Sequence, residues 1–427
     1  MIFVAATIAK ELVIARQFGR SSDLDSFLIA FLVPSFLVQL FAEPFNAGLI
    51  PAFMEVRENE GEDIAQQMLS SSIFCNALLL GGTALLLALF APYYLPLLAT
   101  GFDAGKLALT RHLLYALLPL VVLRGFVFSW TSVLNAYHRF ALPAISPLVT
   151  PLAVTAFLLL RTPGSVLRLA LGLVMGSALE MGVLGWALHK TGLPVGIRWH
   201  GFDHRLRAVV AQYVPIAGGM LFFSGTNMVD QAMAAMLPAG SVAALNYASK
   251  PIGAVLFVGV IGISTVTLPY FSSLSARGDW AGCRKLLVQS SRYTLALSIP
   301  VALSIVFFSR PLIRLVFQRG AFTPDDTAEV AGIQSLLALQ IPFYIVSIIA
   351  TRLMNALKLN QVLMALAAIS LLLNVVLNYI FMQFWGLRGI ALATSLVYAS
   401  NVMLLVIILL AVLRSRTGKE PDGPGAT

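Results

Sequence analysis

Apolar runs of about 18 residues or more recur from one end of this chain to the other, roughly twelve in all, and a run of that length spans bilayer hydrocarbon when helical. Of the 427 residues, 59% are hydrophobic and 11% charged, and the mean hydropathy is +0.87. So little polar surface cannot clothe a soluble globule. The expected class is an all-α polytopic membrane protein with about twelve transmembrane helices.

The expected spans are 1–17, 25–48, 68–92, 107–135, 143–161 and 166–189, then 207–236, 241–271, 290–308, 326–356, 361–383 and 388–413, with internal prolines read as kinks. The first begins at Met1 and carries Lys10, Glu11 and Arg16. It has no basic segment before the apolar stretch and no small-residue cleavage site after it, so it reads as a helix shortened by a late start rather than a signal peptide.

With the N-terminus inside, inner loops and tail hold roughly fourteen Lys and Arg against about eight outside. Clusters at 190–207, 277–292 and 414–419 carry the bias. This favours N-in and C-in, and assigns the net charge of +9 to topology and to attraction for anionic membrane lipids, with no role in nucleic-acid binding.

The two halves of the chain echo each other. Pro34 and Pro51 correspond to Pro251 and Pro269 at offsets of 217 and 218, and TGFDAGKLALTRHLL matches RGAFTPDDTAEVAGI with Gly101 over Gly320. SVLNAY matches RLMNAL, Asn135 over Asn355, at 220. Six crossings return a chain to its starting side, so a tandem duplication predicts two parallel six-helix lobes, 1–198 and 199–416, flanking a central cavity. A polar, Pro/Gly-rich tail at 417–427 is expected to be disordered and cytoplasmic.

No catalytic signature stands out. A phosphate-cradling Gly-rich loop ending in Gly-Lys-Ser or Gly-Lys-Thr is missing. His200 and His204 have helical spacing but no acidic or cysteine partners to complete a metal site, and read as a loop pair at the membrane surface. Cys75 and Cys283 lie far apart, without neighbours that suggest redox work. Gly172 and Gly176 form a helix-packing GxxxG. The acidic stretch 55–63 reads as a solvated inter-helix turn.

Charged residues inside apolar runs are different, because each costs roughly 2.5 to 3.5 kcal/mol at a helix centre and such groups mark wet cavities or partner charges. The set is Lys10, Glu11, Arg16, Glu43, Arg124, Asp230, Lys250 and Arg352, with Asp25 at the mouth of the second span. Some of these can snorkel or pair to fix packing. Glu43 and Lys250 each stand well inside a span and beside a proline, where freed carbonyls and a bend can open a cavity. Cations there would draw an anionic headgroup, Lys as a point charge and Arg as a fork for phosphate oxygens. The carboxylates would orient those cations or exchange H+ or Na+.

FAEPFNAGLIPAFMEVRENEGED, LNAYHRFALPAISP, AGSVAALNYASKPIGAV, TLPYFSSLSARGD and QRGAFTPDD resemble, in order, motifs of the MurJ/MviN lipid II flippases of the MOP exporter superfamily. The resemblance spans nearly the whole chain. It implies MATE-like lobes in a V shape, alternating access in a bacterial cytoplasmic membrane, and movement of undecaprenyl-diphosphate-linked peptidoglycan precursor to the outer leaflet. No cofactor or metal is implied; membrane potential, H+ or Na+ would drive the cycle, with Asp230 and Glu43 as coupling candidates. Lys10 and Glu11 match the family's basic–acidic pair in the first helix, Asp25 its acidic residue opening the second, Glu43 the glutamate of FAE, and Lys250 its basic residue of helix eight. Asp230 falls where the family has a polar residue in helix seven.

Departures accompany the match. Val4, Val38 and Gln39 stand where the family carries arginines, Gly253 replaces an acidic residue, and the two further spans common in the family are missing. Arg124, which the family pattern does not predict, is a candidate to restore one cation. The expected substrate-binding set is therefore Lys10, Lys250, Glu43, Asp25, Glu11 and Arg124. Rival readings are a flippase for another polyprenyl-linked oligosaccharide (exopolysaccharide, capsule or O-antigen), a cation-coupled drug antiporter, a scaffold recruiting cell-wall synthesis enzymes, and a membrane glycosyltransferase.

Overall fold

The structure is a computed structural model that describes residues 2–159, 165–190 and 198–417, all helix and short connections with no strand among them. Expectations for the tail from 418 onward fall outside the described residues. The helices are α1 (Ile2–Phe18), α2 (Ser22–Leu37), α3 (Glu43–Glu60), α4 (Glu62–Leu98), α5 (Ala104–Ala136), α6 (Ala141–Ile145), α7 (Val149–Leu159) and α8 (Val166–Lys190). They continue with α9 (His204–Ala234), α10 (Ser241–Ala276), α11 (Trp280–Phe317), α12 (Pro324–Ala338), α13 (Gln340–Ala356), α14 (Asn360–Trp385) and α15 (Leu387–Thr417). Ten segments among the described residues are long and apolar enough to cross a membrane.

Three expected spans are broken where proline cannot continue the ladder. The run 25–48 divides into α2, a π-helical turn at Val38–Ala42, and α3. Pro44, in the first turn of α3, has no amide hydrogen for the carbonyl one turn back and its ring crowds that carbonyl, which the wider π turn accommodates. Pro342 likewise cannot donate to Ala338, and the run 326–356 breaks at Leu339 between α12 and α13. In the run 143–161, Pro147 and Pro151 divide α6 from α7 through a 3-10 turn at Ser146–Leu148. The acidic stretch 55–63 is helical on both sides of Gly61, whose φ of 99° makes a one-residue junction between α3 and α4.

Two helices far exceed the hydrocarbon layer. α4 has 37 residues and α11 has 38, so each is about 55 Å long at 1.5 Å per residue, against roughly 30 Å of hydrocarbon. Burial grades across the spans: 67% of the most apolar window of 324–356 is inside the protein, but only 17% for α14. Leu97, Phe307 and Phe384 are exposed large side chains of the kind that lipid covers.

The chain divides into two compact units, residues 1–243 with 317–323, and 244–316 with 324–427. The core of the first gathers Phe53 of α3, Leu69 of α4, Val133 of α5, Leu184 of α8 and Val209 of α9. That of the second gathers Phe271, Cys283, Ile349, Leu353, Leu366 and Leu409.

The duplication read from prolines recurs in backbone geometry. After α5, His138 has φ 57°, its amide donates to Asn135, and the next amide, Arg139, donates to Leu134. After α13, Lys358 has φ 60°, its amide donates to Asn355, and Leu359 donates to Met354. Both are Schellman caps with a non-glycine residue in the left-handed region.

Candidate functional site

In the first unit, connections at one end of the helices interlock. Ser21 caps α2 by accepting from Leu24, leaving Asp25 buried one turn in, at 1% exposure. Its carboxylate accepts from the amide of Gly240 at 2.5 Å and of Ala243 at 2.8 Å. Those are the N-cap and third amides of α10, so Asp25 supplies from another helix what a capping box supplies locally, aided by the helix dipole. Arg20 Nε donates to the Gly240 carbonyl at 3.3 Å. Gly240, with φ 85°, admits this approach, because a Cβ there would stand 2.6 Å from the Arg20 carbonyl oxygen. Nearby, Ala321 donates its amide to the carbonyl of Arg16 at 2.9 Å.

Lys10 and Glu11 pair along α1, Nζ to Oε1 at 3.0 Å, with Glu11 largely buried. Arg124 of α5 meets Thr150 of α7 and Glu180 of α8. Glu180 Oε2 accepts from Thr150 Oγ1 at 2.7 Å and lies 3.3 Å from Arg124 Nη1, while Arg124 Nη2 donates to Thr150 Oγ1 at 3.3 Å. The GxxxG makes this possible. Gly176 lets α8 close on α7 at Thr150, where a Cβ would come within 2.9 Å of the Thr150 Cα, and Glu180 projects one turn further along the same face. Glu180 is 1% exposed and was missed by the sequence reading. Its signal was available: a carboxylate in an apolar run, one turn past a GxxxG.

The remaining predicted residues lie on other helices. Asp230 is half-buried on α9. Lys250 is exposed on α10, one residue before Pro251, and belongs to the second unit. Glu43 opens α3, but its side chain lies outside the described residues. Beside it, α9 holds the π turn: Tyr213 donates to the Phe41 carbonyl and Ser224 to Gln39 Oε1, each at 3.0 Å.

At the other end of the first unit, Arg205 of α9 grips Glu60 through Nε at 2.9 Å and Nη2 at 2.5 Å. That hydrogen bonding holds the Glu60 carboxyl below its usual range. Arg57 pairs with Glu62 at 2.6 Å, and Tyr137 donates to the same carboxylate. Burial and that anionic acceptor push the Tyr137 hydroxyl up to about 12. His200 and His204 lie here, His204 3.8 Å from Glu60. No cluster of three metal-ligating side chains occurs among the described residues.

A family profile described as lipid II flippase MurJ matches residues 14–419. The chain belongs to the MurJ family. A Buchnera aphidicola protein named "Probable lipid II flippase MurJ" is 26% identical over 405 residues, covering 93% of this chain and 79% of that protein. A solved lipid II flippase MurJ in an inward closed conformation superposes with TM-score 0.81 at 24% identity, covering 99% of this chain and 92% of the other. An inward-facing MATE multidrug resistance transporter of the MOP superfamily also reaches 0.81, at 12% identity, covering 99% and 96%. Both likenesses are of fold. The MurJ family and the apolar helices make this a multi-pass membrane transport protein, not an enzyme.

Proposed function

We propose that this chain is a lipid II flippase of a bacterial cytoplasmic membrane, N-in and C-in. The family match over 14–419 carries the reading, and the Lys10–Glu11 pair and the buried Asp25 support it. The diphosphate head of a polyprenyl-linked saccharide is held by Lys10 and Lys250 while its tail stays in lipid. A diphosphate taken from water without such cations would be left unpaired in low dielectric. On this reading the Asp25 joint is closed while the head is admitted from the cytoplasm, and releasing α10 from Asp25 belongs to opening the other side. A gradient of H+ or Na+, or the membrane potential, drives the cycle, with Asp230 and Glu43 as the carboxylates to test for exchange.

The test is growth of flippase-depleted cells supplied with Lys10→Ala, Lys250→Ala or both, at matched membrane levels. Loss of growth is expected for each, and full growth with both replaced would overturn the assignment.

A further inference from the structure

The Arg124–Thr150–Glu180 triangle is built unlike a structural tie. Arg124 Nη1 stands 3.3 Å from Glu180 Oε2, long for a charge-assisted hydrogen bond, and Nη2 gives an N–H to Thr150 at 3.3 Å. A guanidinium carries five N–H donors and its strong carboxylate pairing is a two-pronged fork, so most of its capacity is unspent on these partners, and a quarter of the side chain is exposed. Glu180, by contrast, is 1% exposed and takes both of its contacts on Oε2. The carboxylate is locked and the cation is only leaning on it. Loose buried pairs contribute little net stability, and apolar residues of similar size commonly replace them without loss.

The level of the triangle matters as well. α1 and α7 cross in the same direction, since three crossings lie between them, and Gln17 of α1 donates to the Leu158 carbonyl of α7 at 2.7 Å. Counting back along both helices at equal rise puts Lys10 opposite residue 151, within about one turn of Thr150. Two cations, each accompanied by a carboxylate, thus stand near one depth of the first unit, although positions 4, 38 and 39 are Val, Val and Gln.

The geometry points to Arg124 as a second phosphate-binding cation at the level of Lys10, with Glu180 and Thr150 as positioning residues that hold its guanidinium ready for a lipid-linked diphosphate. This rests on the flippase reading and adds to it where the headgroup is gripped. When the diphosphate arrives, the unspent N–H donors turn to its oxygens and Glu180 remains on Thr150.

The experiment is titration of the purified full chain with undecaprenyl diphosphate, using undecaprenol as the uncharged control, alongside thermal unfolding. Arg124→Met with Glu180→Leu removes both charges and keeps volume. The expected result is a melting temperature close to the parent and affinity about tenfold weaker or more, while Arg124→Lys stays within about threefold. Parent-like affinity in the double variant overturns the proposal and leaves the flippase reading intact. If the parent itself does not prefer the diphosphate to undecaprenol, both fall. Should the double variant not fold, Arg124→Gln decides, since parent-like affinity there also overturns the assignment.

Discussion

Asp25 Oδ2 lies 2.5 Å from the amide nitrogen of Gly240, a residue 215 positions away in the chain. With the second bond to Ala243, one carboxylate joins the start of α2 to the start of α10. In Asp25→Asn one acceptor oxygen becomes an NH2 facing a backbone N–H. The joint should lose about 1 to 3 kcal/mol, flipping should fall, and a cysteine at Ser241 should label faster in intact cells. Unchanged labelling with full activity would contradict the joint's role.

The α7–α8 contact predicts a sharp contrast between two glycines. Gly176→Val would drive side-chain atoms into Thr150, whereas Gly182 has nothing within 4 Å of a Cβ. Overpacking should cost Gly176→Val about 1 to 3 kcal/mol, read as a lower melting temperature in detergent, while Gly182→Ala stays near parent. Equal behaviour would mean that α8 does not rest on α7 at Thr150.

Glu60 makes a pH-dependent prediction. Its folded pKa is depressed below 4.5 by Arg205, so its stabilising contribution is present above that value and is lost as pH falls through the folded pKa. Glu60→Gln should therefore melt slightly lower than parent near neutral pH, the gap closing in more acid solution and shrinking with salt, because the pair is exposed. A gap that widened on acidification would contradict the pairing.

Tyr213→Phe removes the hydroxyl that donates to Phe41 at the π turn. The expected loss is about 1 kcal/mol, with faster amide hydrogen exchange at 38–42 and little change elsewhere. Uniform exchange across the chain would show that α9 does not pin the turn.

The order of the helices and the duplication were legible because prolines and apolar length leave marks in one dimension. The paired caps at His138 and Lys358 stand 220 residues apart, the offset of Asn135 and Asn355, though neither residue is the glycine such a cap usually announces. Asp25 was legible as a charge but not as a cap, since its partners are backbone amides, which every residue type except proline provides. Lys10 could be seen to neighbour Glu11. Arg124 was visible, yet its partner was not, because α5 and α8 are far apart in sequence and nothing local to either says that they pack together. The π turn was hidden for another reason: Pro44 signals a bend, and several backbone solutions accommodate one proline.

The lengths of α4 and α11 carry a mechanical consequence. A rod of about 55 Å held by a film of about 30 Å leaves roughly 25 Å beyond it, shared between the two faces. Such a rod works as a lever: a tilt of about 10° about the membrane centre displaces each end by roughly 5 Å, more than the reach of any hydrogen bond. Rocking too slight to disturb the lipid-facing surface would still break polar joints made at the helix ends.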